Sequence, residues 1–204
     1  MISLFITGGI GSGKSTLTSF LAHRGAAVVL ADEVGHENLE LPEVKHALKV
    51  AFGSDIFDEQ GRVVRARLAA CAFSSPENTA LLDSITQPPL YKRCLERIAA
   101  EGKTHEVVAL EMAILDGRDD FYKHADIVIA LTTSEEVRVS RLMAYRGFSE
   151  EDARARLASQ VPEERRLAIA DVVFTNDGTL EELEAQIASW WASDIEPRLA
   201  QEVR

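Results

Sequence analysis

Gly8-Gly9-Ile10-Gly11-Ser12-Gly13-Lys14-Ser15, directly after the apolar run Ile2-Ser3-Leu4-Phe5-Ile6, constrains this chain more than any other stretch. The letters fit the phosphate-loop pattern G-x-x-x-x-G-K-[ST], where a buried strand ends and a helix opens. Glycine carries no Cβ, so the backbone can turn tightly and bring its N–H groups close to an anion. A helix starting near Lys14 aims its partial positive end at the same place. The spacing predicts that Gly8, Gly9, Gly11, Ser12, Gly13, Lys14, Ser15 and Thr16 line a nucleotide site. Lys14 would reach the terminal phosphates and the Ser15 hydroxyl would ligate Mg²⁺. The bland alternative is a glycine-rich turn, and the strand before it and helix after it weigh against that.

Four more short β-rich runs follow: Ala26 to Leu30, Val107 to Leu110 ending in Glu111, Ile127 to Leu131, and Val172 to Thr175. Short apolar strands separated by helical stretches describe an α/β fold, a parallel sheet covered on both faces. Ligands collect at the carboxyl ends of such strands. Asp32, Glu111 and Asn176 to Gly178 therefore join the phosphate loop as candidates. Between the second and third strands, helical periods occur at 43–52, 64–73, 76–85 and 90–100, with breaks expected at Gly53, Gly61 and Pro88-Pro89. That stretch reads as a helical insert on the substrate side, or alternatively as structural decoration.

A second polar block carries Arg138, Arg141, Arg146, Arg154, Arg156, Arg165 and Arg166 among glutamates, with Gly147 as a hinge. It reads as a helical lid, with most of the arginines in solvated salt bridges. Thr179 to Arg204 reads as an amphipathic helix with Trp190 and Trp191 in the core. Cys71 and Cys94 sit in apolar helical patterns without metal-like spacing and read as buried thiols.

The chain has 204 residues, enough for one domain with insertions. Its formal net charge of −11 argues against a broad nucleic-acid surface, yet a few placed cations can still hold a small anion. No apolar run approaches the ~20 residues that cross a bilayer. No signal peptide precedes the first strand, so a cytoplasmic location is expected. Oligomeric state is not legible.

Phosphoryl transfer needs a phosphate clamp, Mg²⁺, an oriented nucleophile and cations for developing charge. Glu111 has the position of a strand-end acid that holds Mg²⁺ through water, or else of a helix cap. Asp32, expected beside the phosphate loop, suits a base for an incoming hydroxyl, or an N-cap. Asp58-Glu59-Gln60-Gly61 matches D-x-x-G by letters only, since it lies in the helical insert.

In their order these pieces resemble the dephospho-CoA kinase family. Thr7 to Thr16 is similar to that family's opening, Ala31-Asp32 to its Asp-Ala-Asp element, and Gly61, Arg65 and Leu68 to its D-G-x-[LV]-x-R-x-x-L segment. Ser159-Gln160, Ala170-Asp171 and Asn176-Asp177-Gly178 match its late run. The resemblance spans roughly residues 2 to 185. It implies a three-layer P-loop kinase fold with a five-stranded parallel sheet: a core of 1–35, 104–134 and 168–204, a helical insert of 36–103 and a lid of 135–167. It implies ATP-dependent phosphorylation of the 3′-hydroxyl of dephospho-CoA, with ATP and Mg²⁺ as the cofactors and neither nucleic acid nor membrane as partner.

By the same resemblance Asp32 is the base, Asn176 and Gly178 contact adenine, and Arg141 with Arg146 closes over the transferring phosphoryl. Leu82, Ile85 and Tyr91 are expected to face the acceptor. The chain departs from the pattern at Leu30, His36, Gln87 and Tyr145, and its Met112-Ala113-Ile114-Leu115-Asp116 is a reduced form of a family segment. Two alternatives remain open: another small-metabolite or nucleoside monophosphate kinase, and a non-catalytic nucleotide-binding regulator.

Overall fold

The structure is a computed structural model that describes residues 1–112 and 121–202. Residues 113–116 of the reduced family segment lie outside the described residues. The strands are β1 (Ile2–Gly8), β2 (Ala27–Leu30), β3 (Val107–Glu111), β4 (Ile127–Thr132) and β5 (Val172–Thr175). The helices begin with α1 (Lys14–His23), α2 (Ala31–Asn38), α3 (Pro42–Phe52), α4 (Arg65–Ala72) and α5 (Pro76–Glu101). They continue with α6 (Glu135–Arg146), α7 (Glu150–Ala158), α8 (Glu163–Leu167), α9 (Leu180–Trp190) and α10 (Glu196–Glu202).

The five strands form one sheet in the order β2-β3-β1-β4-β5. β1 pairs in parallel with both β3 and β4, and β4 with β5. All seven residues of β1 are buried, as expected for a strand covered on both faces. Ile2, Leu4 and Ile6 pack with Leu17 and Leu21 of α1 and with Leu183 and Ile187 of α9. Phe5 points the other way, towards Phe121. Trp190 and Trp191 are buried, as the amphipathic pattern predicts. The terminal helix is interrupted: a π-helical turn, Trp191–Ile195, separates α9 from α10.

The sheet order corrects one expectation. β2 does not neighbour β1; β3 lies between them. The acid delivered directly beside the phosphate-loop strand is therefore Glu111, level with Ile6 in the ladder. A right-handed crossover from β1 can skip a strand, and hydrophobic runs carry no information about which strand fills the gap.

The chain divides into two compact units, Met1–Val29 with Ile98–Arg204, and Leu30–Arg97. The second unit has its own core, in which Val44, Leu48, Ile56 and Leu68 are buried. Leu82 and Ile85 pack against this core and are half-buried, so part of the apolar surface expected to face an acceptor serves the unit itself. Within the unit, Arg93 and Arg97 of α5 both donate to Glu37 of α2, at 3.0 and 2.5 Å.

Pro88-Pro89 does not break the helix: α5 runs on from Pro76 to Glu101. Proline's fixed φ is itself helical, so what is lost is two amide donors and some room in the preceding turn. The orphaned carbonyl of Ser84 belongs to an exposed residue and can turn to water. Thr86 and Ser84 hydroxyls meanwhile bond carbonyls of the turn before.

Both cysteines are free thiols; Cys94 is buried, but Cys71 is only half-buried, against expectation. Burial pushes the Cys94 thiol up to about 11, with the nearby Arg97 charge opposing. Because the thiolate is the reactive form, Ellman's reagent at pH 8 should titrate Cys71 in the native protein and Cys94 only after unfolding. Equal rates for the two thiols would contradict the packing described.

Candidate functional site

The phosphate loop follows from two left-handed glycines. Gly11 and Gly13 have φ of 77° and 99°, which a side chain would strain. Gly13 occupies the N-cap position of α1, and its carbonyl accepts from Thr16 N and Leu17 N at 3.0 and 3.2 Å. Ser12 N closes a turn onto Gly9 O at 3.2 Å. The amides of Gly11, Gly13 and Ser15 make no hydrogen bond among the described residues. Lys14 Nζ donates to Gly8 O and Gly9 O at 3.1 and 3.3 Å, and lies 4.0 Å from Glu111 Oε1. Unbonded amides at a helix N-terminus beside a lysine make a fitting receptor for an anionic phosphate tail.

The outside of the loop is held by side chains from the ends of β4 and β5. Asn176 Nδ2 donates to Ser12 O at 2.8 Å, and the Thr133 hydroxyl, 2.8 Å from Thr132 O, shares its proton with Ser12 O at 3.3 Å. A trans peptide points its C=O and N–H in opposite directions. Pinning Ser12 O outward therefore turns Gly13 N–H inward. Gly13 is constrained twice, because a Cβ there would also overlap Asn176 Nδ2. Asn176 is itself buried and anchored, its N–H donating to Thr132 O at 2.9 Å.

Arg141 joins the same assembly. It donates to Gly11 O at 3.4 Å, to Asn176 Oδ1 at 3.1 Å and to Gly178 O at 3.4 Å. Asp177 Oδ1 accepts from Ser134 N at 2.7 Å, tying the 176–178 turn to the start of α6. That backbone bond holds the Asp177 carboxyl below its usual range, with the Arg141 charge helping. Of the sequence-predicted residues, Arg141, Asn176 and Gly178 thus gather around Gly8–Ser15. Arg146 does not: it is exposed in the last turn of α6 and makes no hydrogen bond or ion pair among the described residues.

The remaining arginines sort by partner. Arg154 pairs with Glu150 and Glu135, as a solvated salt bridge should. Arg156 lies over the Phe148 ring at 4.6 Å. Arg166 departs from the expectation, being buried at 3% exposure with Nη1 donating to Val161 O at 2.6 Å. Ile10, half-buried, packs on the α6–α7 core formed by Val139, Leu142 and Ala153. Its N–H donates to Gln160 Oε1 at 3.1 Å. Thr133 carried no signal in the sequence, whereas Gln160 stood within a motif but without a role.

Asp32 lies in the first turn of α2 and is exposed; Leu30, not Asp32, is the N-cap residue. Its carboxylate makes no hydrogen bond among the described residues and so remains available to a ligand. For a divalent metal, no group of three or more His, Cys, Asp or Glu occurs among the described residues. The Ser15 hydroxyl and the Glu111 carboxylate, the latter 4.0 Å from Lys14 Nζ, are hard oxygen donors of the kind Mg²⁺ takes, one or two from the protein with phosphates and water completing its octahedron. Ser15 and Glu111 are the residues that would hold it.

Asn176→Ala should leave Ser12 O with a weaker brace and free the Ser12–Gly13 peptide to rotate. We expect a loss of about 1–3 kcal/mol in stability together with weaker ATP binding, read by thermal melts and calorimetry. Unchanged ATP affinity would mean that the loop holds its shape without this side chain.

Residues 2–182 match the family model described as dephospho-CoA kinase. The dephospho-CoA kinase of Corynebacterium glutamicum is 42% identical over 190 residues, covering 91% of this chain and 94% of that protein. That of Streptomyces avermitilis is 36% identical over 195 residues, covering 94% and 93%. Among solved structures, TT1252 from Thermus thermophilus superimposes with a TM-score of 0.79 at 30% identity, covering 95% of this chain and 97% of that one. A shikimate kinase from Acinetobacter baumannii, at 16% identity and a TM-score of 0.52 over 95% and 94%, shares the fold alone. The ordered motifs, the braced phosphate loop and these matches lead to one statement: the chain belongs to the dephospho-CoA kinase family.

Proposed function

We propose that this protein transfers the terminal phosphoryl group of ATP to the 3′-hydroxyl of dephospho-CoA, giving coenzyme A and ADP. The observation that carries the reading is the Gly8–Ser15 loop, with inward amides and the Lys14 ammonium at its mouth, in a chain of this family. The acceptor oxygen forms a bond to the terminal phosphorus as the bond from that phosphorus to the bridging oxygen breaks. The electron pair leaves with ADP, and the hydroxyl proton passes to the Asp32 carboxylate. Gly11, Gly13, Lys14 and Thr16 hold the triphosphate, while Asn176 and Gly178 border the base.

Ser15 and Glu111 hold Mg²⁺, which neutralises charge on the phosphates when bound. Lys14 must exchange its bonds to Gly8 O and Gly9 O for phosphate oxygens, a favourable exchange because the new acceptors are charged. For Arg141 to reach the transferring group, it would likewise have to release Gly11 O and Asn176. Its present contacts suit a wall of the nucleotide site, and closure of residues 135–167 is the motion that would redirect it. Residues 36–103 take the acceptor. A cytoplasmic setting is part of the proposal and is supported by the two unpaired thiols.

Incubation of the protein with ATP, Mg²⁺ and dephospho-CoA should yield a product with the mass of coenzyme A. Strong activity on nucleoside monophosphates and none on dephospho-CoA would redirect the assignment to another kinase. Asp32→Asn should retain ATP affinity while transfer falls by at least ~10²-fold, the range of acid–base groups; an unchanged rate removes Asp32 from its role. Lys14→Ala should weaken ATP binding by about 10- to 100-fold, the effect of one charge-assisted hydrogen bond, as measured by calorimetry.

A further inference from the structure

Arg138 is the one half-buried arginine of the α6–α8 segment whose guanidinium has neither a carboxylate nor a carbonyl to bond among the described residues. Arg154 has two glutamates, Arg156 has a ring, and Arg141 and Arg166 have carbonyl oxygens. Arg138 Nε is buried without a partner. Leaving a buried guanidinium nitrogen unbonded is costly, since the charged group loses water and gains nothing in return.

Its neighbourhood adds to the cost. The Arg166 guanidinium lies close enough for the two like charges to act on each other. Burial first, and then the Arg138 charge, pull the Arg166 proton affinity down, with Glu163 and Glu164 opposing. Arg138, beside Gly9 and Gly11 with a second cation acting on it, leaves a local demand for negative charge in a chain whose net charge is −11.

The position of the Arg138 tip is set by glycines. The Cβ, Cα and carbonyl oxygen of Arg138 lie 3.6–3.7 Å from where a Cβ on Gly11 would stand, so its stem covers Gly11. Its Nη1 then occupies the space of an absent Cβ on Gly9, with Gln160 Oε1 3.1 Å from that same point. Lys14 Nζ reaches Gly9 as well, through the Gly9 carbonyl at 3.3 Å. Two cationic tips, one from α1 and one from α6, therefore meet at one glycine. Lys14 marks that end of the loop as the place of the outermost phosphates.

We propose that Arg138 is a further catalytic residue, whose guanidinium, held over Gly9 opposite Lys14, binds the terminal phosphate of ATP and stabilises its charge during transfer. The assignment rests on the nucleotide reading given above. It also gives Gly9 a reason: any side chain there would displace Arg138. Gln160 acts as a positioning residue, because its bond to Ile10 N holds the neighbouring peptide.

The test compares ATP with ADP, which lacks only the phosphate in question. In calorimetric titrations without acceptor, Arg138→Gln should weaken ATP binding by about 10- to 100-fold, the range for a charged hydrogen-bond partner. ADP affinity and the melting temperature should stay near wild type, and kcat should fall more than the KM for dephospho-CoA rises. Arg138→Lys should recover part of the ATP preference, since it restores charge without the fork. If Arg138→Gln weakens ATP and ADP equally, or keeps the wild-type ratio, Arg138 is a brace and the proposal is overturned. If wild-type protein binds neither nucleotide, the nucleotide reading of the loop falls first, and with it the basis for this role.

Discussion

The carbonyl oxygen of Ser12 holds the site together. It is turned away from the hollow of the loop and bonded there by Asn176 and Thr133, so peptide planarity turns the Gly13 amide inward. An anion receptor made of backbone has no side-chain rotamers to freeze, but it has peptides that can flip. Fixing one carbonyl from behind removes that freedom before any ligand arrives. The sheet makes this possible, because parallel pairing of β1 with β4 and β4 with β5 brings Gly8, Thr132 and Thr175 to the same edge. The residues just past those strands are then within reach of the loop.

Charge is distributed in the same spirit. The chain carries a formal −11 overall, but Lys14, Arg138 and Arg141 all lie against Gly8 to Ser12. The local field is therefore opposite in sign to the global one, and at contact distances it dominates, since solvent screens the distant acids. Glu111 moderates this group from the neighbouring strand, close enough to Lys14 for a weak ion pair. The unit Leu30–Arg97 carries Asp32 on a separate apolar core. The phosphate loop and Asp32 thus belong to parts of the chain that fold around different sets of hydrophobic residues.

Much of this was legible in the residues. The five strands stand within two residues of their apolar runs: β1, β3 and β4 are buried almost throughout and leave a continuous hydrophobic signal, while the edge strands β2 and β5, only partly buried, are marked by their Val, Leu and Phe residues. Gly147, read as a hinge, stands between α6 and α7 with the positive φ that glycine tolerates. Family motifs located Asn176 and Gly178 without showing that the Asn176 side chain faces the loop and not open solvent. Other features were not legible for identifiable reasons. Strand order depends on long-range packing, so β3 between β1 and β2 leaves no local trace. Pro88-Pro89 reads as a break because propensity counts the lost donors and not that proline's own φ is helical and that the freed Ser84 carbonyl is open to water. Arg166 and Arg138 look like their solvated neighbours, since composition cannot tell a guanidinium with a glutamate partner from one without.

From its sequence alone this protein was bound to possess a parallel sheet and a phosphate loop at the end of its first strand. Glycines without Cβ atoms, a lysine at a helix start and short apolar runs act through local sterics and periodicity, which need no partner from elsewhere in the chain. Tertiary structure decided which side chains stand behind that loop and which cations converge on Gly9. Asn176, Thr133, Arg141 and Arg138 are more than a hundred positions away along the chain. Only the closing of the sheet gives them a carbonyl or a glycine to meet.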